Sequence, residues 1–170
     1  MISEALSLIK SRLEHANQNY LGYPLSKDFD YTELSDFLKF QINNVGDPFS
    51  ESTLTIDTKE QEREVIRFFA ELLNTNLKET WGYVTNGGSE GNLYALYLAR
   101  ELYPDGIVYY SEATHYSIRK NLHLLNMRSV LIKSSTNGEM DYVDLESVIS
   151  MHRDKPVIIL ANYGTTMTEA

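Results

Sequence analysis

Trp81-Gly-Tyr-Val-Thr85-Asn-Gly-Gly-Ser89-Glu-Gly-Asn-Leu-Tyr-Ala-Leu-Tyr-Leu-Ala-Arg-Glu-Leu102-Tyr-Pro-Asp-Gly-Ile107-Val-Tyr-Tyr110 is the stretch on which the fold turns. It opens with an aromatic and β-branched run, Trp81 to Thr85, that reads as a short strand. Two glycines break the run, and Ser89 to Leu102 continues as a helix. Pro-Asp-Gly then makes a turn, and Ile107 to Tyr110 is an apolar run bounded by turn signals, hence a second strand. Downstream the alternation repeats. His115 to Leu125 is a helix with Ile118, Leu122 and Leu125 on one face, and Ser129 to Ile132 is a strand. Asp141 caps a helix to about Met151, and Pro156 to Ala161 is a strand without polar alternation. Strands and helices alternating across short connections imply parallel pairing, and continuous apolar runs fit strands covered on both faces. The expectation is an α/β unit of four parallel strands flanked by helices.

Upstream of about Lys78 the signals are helical. Leu6, Ile9 and Leu13 share one helix face behind Ser3, a candidate cap. A turn-rich stretch from Asn19 to Pro24 follows. Asp30 opens a second helix carrying Leu34, Phe37, Leu38 and Ile42. Asn43-Asn-Val-Gly-Asp-Pro-Phe49 clusters turn formers and must be a loop. A third helix runs from about Asp57 to Leu73, with acids in its first turns and Val65, Phe68, Phe69 and Leu72 at helical spacing. Two regions result: a helical segment over 1–80 and an α/β segment over 81–170.

The whole chain has 170 residues, 42% apolar and 23% charged, which is a globular composition. Its net charge of -9 excludes the Lys/Arg surplus of a nucleic-acid or anionic-membrane binder. The charge divides as 14 acids and 8 bases over 1–80, and 10 and 7 over 81–170, so neither half holds a basic patch. No apolar run approaches the roughly 18 residues of a spanning helix, and no apolar leader opens the chain. With no cysteine there is neither a disulfide nor a thiolate metal site. His15, His123 and His152 lie at polar or helix-surface positions without metal-ligand spacing, so no metal is expected. A cytoplasmic protein is the expectation.

Three places could carry chemistry. In Thr85-Asn-Gly-Gly88-Ser89-Glu-Gly-Asn92 the adjacent glycines let the backbone approach a ligand, and the helix that follows offers free N–H groups and a positive dipole end. That suits a phosphate dianion; an ordinary βα turn with Ser89 as its cap would look the same. The spacing fits neither the Gly-x-Gly-x-x-Gly of a dinucleotide site nor a Walker loop, since no lysine follows. His115 stands just past the second strand, on the edge where open parallel sheets place ligands, and could stack on a flat cofactor or bond a backbone carbonyl. Gly164-Thr-Thr166 follows the last strand and points two hydroxyls toward the same edge, or is a plain turn.

At these motifs the sequence resembles the pyridoxal-phosphate-dependent group II amino-acid decarboxylases, of the histidine or serine decarboxylase type. The resemblance runs from about Tyr20 onward. It takes in Gly22-Tyr-Pro24, Asp28-Phe-Asp-Tyr31, Ile42-Asn-Asn-x-Gly-Asp47, Trp81-Gly-Tyr-Val-Thr-Asn86, Gly88-Ser-Glu-Gly-Asn92, Pro104-Asp-Gly106, Thr114-His-Tyr-Ser117, Gly138-Glu139 with Asp141, and Gly164-Thr-Thr166. It implies the N-terminal part of a fold-type I (aspartate aminotransferase-like) large domain with a mostly parallel sheet, truncated at about its first half over 81–170.

By this resemblance Gly88 and Ser89 bind the phosphate of pyridoxal 5'-phosphate, while His115 stacks on its ring beside the substrate as a catalytic residue. Thr166 lies near the ring. The loop Asn43 to Asp47 lies near the active-site mouth, across a dimer interface, which makes Asn44 a substrate-binding candidate. The implied reaction removes the α-carboxylate of an L-amino acid as CO2. Trp81 to Gly88 and Gly164-Thr-Thr-Met167 favour L-histidine, giving histamine, whereas Gly46-Asp-Pro-Phe49 with Glu51-Ser52 is more like the L-serine enzymes, which give ethanolamine. A homodimer or higher homo-oligomer is implied for the full-length enzyme, with no nucleic-acid or membrane partner.

The family also uses an aspartate on the ring nitrogen, in a His-x-Asp-Ala context, and a cofactor-linking lysine in Ser-x-His-Lys. None of the eight lysines has that context. The 170-residue chain alone is therefore expected not to decarboxylate, and a catalytically inactive remnant is the alternative. An uncovered sheet edge is expected with it.

Overall fold

The computed structural model describes residues 2–21 and 30–170. Two sequence motifs, Gly22-Tyr-Pro24 and the start of Asp28-Phe-Asp-Tyr31, lie outside the described residues. The chain divides into two compact units, Met1–Thr80 and Trp81–Ala170.

The first unit is helical. Helix α1 spans Ile2–Asn19, so Ser3 sits in its first turn and does not precede it as a cap. Leu6, Ile9 and Leu13 share a face that is exposed. Asp30 does open a helical turn, but Thr32–Lys39 is a 3₁₀ helix and Ile42 falls beyond it, because Phe40 is already extended. The Thr32 hydroxyl and amide both donate to the Asp30 carboxylate and hold its pKa below the ordinary value. Helix α2 spans Lys59–Leu72 with Glu60 and Glu62 in its first turn, where carboxylates complement the helix dipole. Arg63 and Arg67 both bond Glu60 and hold its carboxyl below the ordinary range.

The second unit is a three-stranded parallel sheet between helices. Its elements are α3 (Gly88–Leu102), β1 (Ile107–Ser111), α4 (Ser117–Leu124), β2 (Arg128–Ile132), α5 (Tyr142–Ser150) and β3 (Val157–Leu160). The strand order is β2-β1-β3, with Ile107 opposite both Arg128 and Val157. Chain order reverses at β1: one crossover, through α4, leads outward to β2, and the next, through α5, returns past β1 to β3. Right-handed crossovers in opposite directions place α4 and α5 on opposite faces.

Side-chain alternation along β1 then builds two cores. Val108 and Tyr110 pack with Leu96 of α3 and Ile118 and Leu122 of α4. Ile107 and Tyr109 pack with Ile132 and Leu145 of α5 on the other side. Burying an aliphatic side chain such as Ile118 or Leu122 contributes about 1.5–3 kcal/mol. Every residue of β1 is buried, as expected of a strand covered on both faces. β2 and β3 are edges and keep Leu131 and Ile159 exposed.

Trp81 to Thr85 forms no strand and stands outside the sheet, so three strands are found where four were expected. A strand exists only by pairing, and β1, β2 and β3 pair with one another. The segment is held against α3 by aromatic contacts: Tyr83 meets Tyr94 edge-on at 5.1 Å, and Trp81 lies 6.0 Å from Tyr94. Such pairs are worth about 0.5–1.5 kcal/mol beyond the area they bury. Among the described residues no helix is long and apolar enough to cross a membrane.

Candidate active site

The chain reverses direction across the sheet between β1 and β3, and open α/β sheets bind ligands in the crevice beyond the carboxyl ends of strands at such a reversal. Both strand ends contribute here. Asn162, after β3, donates from Nδ2 to Thr114 Oγ1, after β1, at 2.8 Å. A cavity of about 470 Å³ opens beside this bridge, its wall including Asn92, Thr114, His115 and Asn162.

Helix α3 begins at the glycine turn. Gly87 is its N-cap residue, and the amides of Glu90 and Gly91 donate to the Gly87 carbonyl at 3.0 and 3.2 Å. Gly88 and Ser89 form the first helical positions, whose N–H groups point out of the helix by geometry. A Cβ built on Gly87 or Gly88 would meet nothing within 4 Å, so the turn faces open space. The Glu90 carboxylate accepts from the Asn86 amide at 2.9 Å, one residue before the N-cap Gly87, and so ties the turn back onto the helix. Its other oxygen accepts from the Tyr83 hydroxyl at 3.4 Å. Burial, reinforced by the Glu90 charge, pushes the Tyr83 phenol above its ordinary pKa.

His115 precedes α4 and does not belong to it. Its ring is exposed, but its anchor is buried: Ser117, 2% exposed, places Oγ 2.8 Å from His115 Nδ1. The Ser117 amide donates to the same nitrogen at 3.3 Å. Asn92 of α3 donates from Nδ2 to Ser117 Oγ at 3.1 Å. Asn121 of α4, also buried, donates to the Ser89 carbonyl at 3.0 Å. Helix α4 therefore couples the start of α3 to the imidazole. The Tyr116 ring packs on His115 with centroids 4.3 Å apart.

Of the remaining sequence candidates, Thr166 is exposed on the turn begun by Gly164, whose φ of +77° sets the direction of the chain. Its neighbour Thr165 is the buried hydroxyl and bonds Thr168 at 2.5 Å. Asn44 belongs to the first unit, where its amide is taken up locally. Oδ1 accepts from the Thr58 amide at 2.7 Å, and Nδ2 donates to Thr58 Oγ1 and Glu62 Oε2 at 3.1 and 3.2 Å. These bonds pin the Asn43–Asp47 loop to the start of α2, beside the buried Lys59, which donates to the Asp47 carbonyl at 2.9 Å. Asn92, Ser117, Asn121 and Asn162 were not singled out from sequence. Two of them, Asn92 and Ser117, close motifs that were, but only the fold brings them together. Among the described residues no group of three or more His, Asp or Glu side chains could hold a metal ion.

No protein-family profile matches the chain. It is 46% identical over 159 residues to a histidine decarboxylase of Mesorhizobium japonicum, covering 94% of this chain and 43% of that protein. It is 50% identical over 158 residues to a histidine decarboxylase of Acinetobacter baumannii, covering 93% and 41%. The chain thus spans about two fifths of the length of these curated relatives. Among solved structures it is similar to L-methionine decarboxylase from Streptomyces sp. 590, with a TM-score of 0.86 and 24% identity over 98% of this chain and 44% of that one. That likeness assigns the fold, a fold-type I parallel sheet with flanking helices. In sequence the chain is thus similar to the histidine decarboxylases over about two fifths of their length, and in fold to the solved L-methionine decarboxylase.

Proposed function

We propose that this chain supplies the phosphate-facing and ring-facing side of the active site in a pyridoxal-phosphate-dependent enzyme that decarboxylates L-histidine to histamine and CO2, acting in the cytoplasm as a homodimer or higher homo-oligomer. The observation that carries the reading is the coupling of an anion-accepting helix start at Gly88 and Ser89 to the exposed imidazole of His115, through Asn121 and the Asn92–Ser117 pair. The identity to histidine decarboxylases favours histidine over serine as the substrate.

The residues present fit this cofactor. The glycine turn faces open space, as a close-approaching phosphate requires. The first N–H groups of α3 and the Ser89 hydroxyl are the donors a dianion needs, reinforced by the helix dipole. Gly88 and Ser89 would hold the phosphate, His115 would lie against the ring, and Thr166 would stand beside it. When bound, pyridoxal phosphate supplies an electron-withdrawing ring that accommodates the electron pair left as the α-carboxylate departs. The chain's own contribution is orientation: the buried Ser117 fixes the imidazole, and α4 fixes its distance from the helix start, so that ring and phosphate are positioned together. The cofactor-linking lysine is not among the eight lysines of these 170 residues, so the intact protein assayed below is one in which they are joined to a segment carrying that lysine.

The test offers L-histidine and L-serine to the intact protein supplied with pyridoxal phosphate. Histamine and CO2 from histidine are expected. Ethanolamine from serine, with histidine inert, would overturn the substrate assignment, and no amine from either would overturn the decarboxylase reading.

A further inference from the structure

The geometry points to Ser117 and Asn92 as positioning residues that fix the protonation pattern of His115, keeping Nδ1 as an acceptor and the ring proton on Nε2. The inference deepens the active-site reading above. Its basis is a directional chain of hydrogen bonds. An amide nitrogen can only donate, so Asn92 Nδ2, 3.1 Å from Ser117 Oγ, occupies a lone pair of the hydroxyl. The hydroxyl proton is then directed to its other neighbour, His115 Nδ1, at 2.8 Å. The Ser117 backbone N–H, which has no alternative polarity, also points at Nδ1, at 3.3 Å. Two donors converge on one ring nitrogen, which must therefore carry its lone pair inward. In a neutral imidazole the proton is left on Nε2.

The arrangement is well placed to hold. Ser117 is buried at 2% exposure, with Asn121 buried one turn further along the same helix, so the hydroxyl faces little competition from water. The imidazole it orients is exposed and lies in the wall of the cavity at the strand ends. His115 therefore meets a ligand there as an N–H donor, suited to a carboxylate or another acceptor. With the opposite tautomer it would offer a lone pair. Selecting one tautomer through the nitrogen that does not face the ligand is a general way in which proteins set the role of a histidine.

The test is nitrogen NMR of the full 170-residue chain labelled at histidine, at a pH where the imidazole is neutral. Wild type is expected to show a pyridine-like Nδ1 and a pyrrole-like Nε2 at His115. Asn92→Asp replaces the donor by an acceptor and reverses the chain. The Ser117 hydroxyl then donates toward residue 92 and accepts from the ring, leaving only the Ser117 backbone N–H, at 3.3 Å, to favour a lone pair on Nδ1, so Nδ1 is expected to shift toward the pyrrole-like position. Ser117→Ala is expected to move both resonances toward an average of the two tautomers, and Ser117→Thr, which keeps the hydroxyl, to restore the wild-type pattern. A merely structural role would change the amide spectrum broadly without moving the proton between ring nitrogens. A pyrrole-like Nδ1 in wild type overturns the inference. So do unchanged His115 resonances in both Asn92→Asp and Ser117→Ala with the amide spectrum intact. If Asn92→Asp loses its dispersed spectrum, the Ser117→Ala and Ser117→Thr pair decides. Because the readout is taken without ligand or turnover, it can fail while the decarboxylase assay succeeds, and the reverse.

Discussion

Tyr109 occupies the middle of the central strand, fully buried, and its hydroxyl is the one buried side-chain polar atom without a hydrogen-bond partner among the described residues. Burial pushes its phenol pKa above the ordinary value. Replacing it by phenylalanine keeps the ring that packs with Ile107, Ile132 and Leu145 and removes only the stranded oxygen. An unsatisfied buried donor costs about 1–3 kcal/mol. Against this stands the small void left by one oxygen; at about 24 cal/mol per Å³ it costs only a few tenths of a kcal/mol. The desolvation term wins, so Tyr109→Phe is expected to stabilise the chain by about 1–2 kcal/mol. With a urea m-value of about 2 kcal/mol/M, the denaturation midpoint rises by about 0.5–1 M. Circular dichroism through a urea series reads it directly. A midpoint lower than wild type, at unchanged m, would mean the hydroxyl is bonded in solution and would refute the reasoning.

Two further substitutions probe local structure. Asp141 caps α5 by accepting from the Val143 and Asp144 amides at 2.9 and 3.0 Å, so Asp141→Ala is expected to cost about 1 kcal/mol in the same urea assay, and Asp141→Asn only a fraction of it. Gly138 has φ +91°, and a Cβ there would lie 2.1 Å from Thr168 Oγ1. Gly138→Ala is therefore expected to destabilise by more than the backbone penalty of about 1–2 kcal/mol alone, and adding Thr168→Ala should recover only the part due to Oγ1 and Cγ2, because the Thr168 Cβ stays 2.6 Å away.

What was legible in the sequence was what is local. Asp141 reads as a cap because its partners are two and three residues away, and they are where it was expected to find them. The three strands read from their uninterrupted apolar runs, and α2 and α3 from their period. The aromatic run from Trp81 to Thr85 has the composition of a strand, yet ladder pairing depends on which neighbour the fold supplies, and its rings instead pack on α3. The crevice beside β1 exists because the second crossover runs back past the first, a global property that no window of sequence contains. Likewise Asn92 meets Ser117 across 25 residues and Asn162 meets Thr114 across 48, so the motifs were visible while the bonds between them were not. Asn44 carries a converse lesson. Its amide bonds Thr58 and Glu62, 14 and 18 residues on, and those partners could not be read from the loop that contains it.

The most direct test of whether the start of α3 and His115 form one cofactor site is a titration of the nitrogen-labelled 170-residue chain with pyridoxine 5'-phosphate, which has the ring and phosphate of the cofactor but no aldehyde to react with lysines. Pyridoxine without phosphate is the comparison. The expected result is saturable shifts of the Gly88 and Ser89 amides together with the His115 ring resonances. Those shifts should be much weaker with pyridoxine and lost in Ser89→Asp, whose carboxylate repels the phosphate. Shifts that spare Gly88, Ser89 and His115, or that are as large with pyridoxine as with its phosphate, would contradict the assignment.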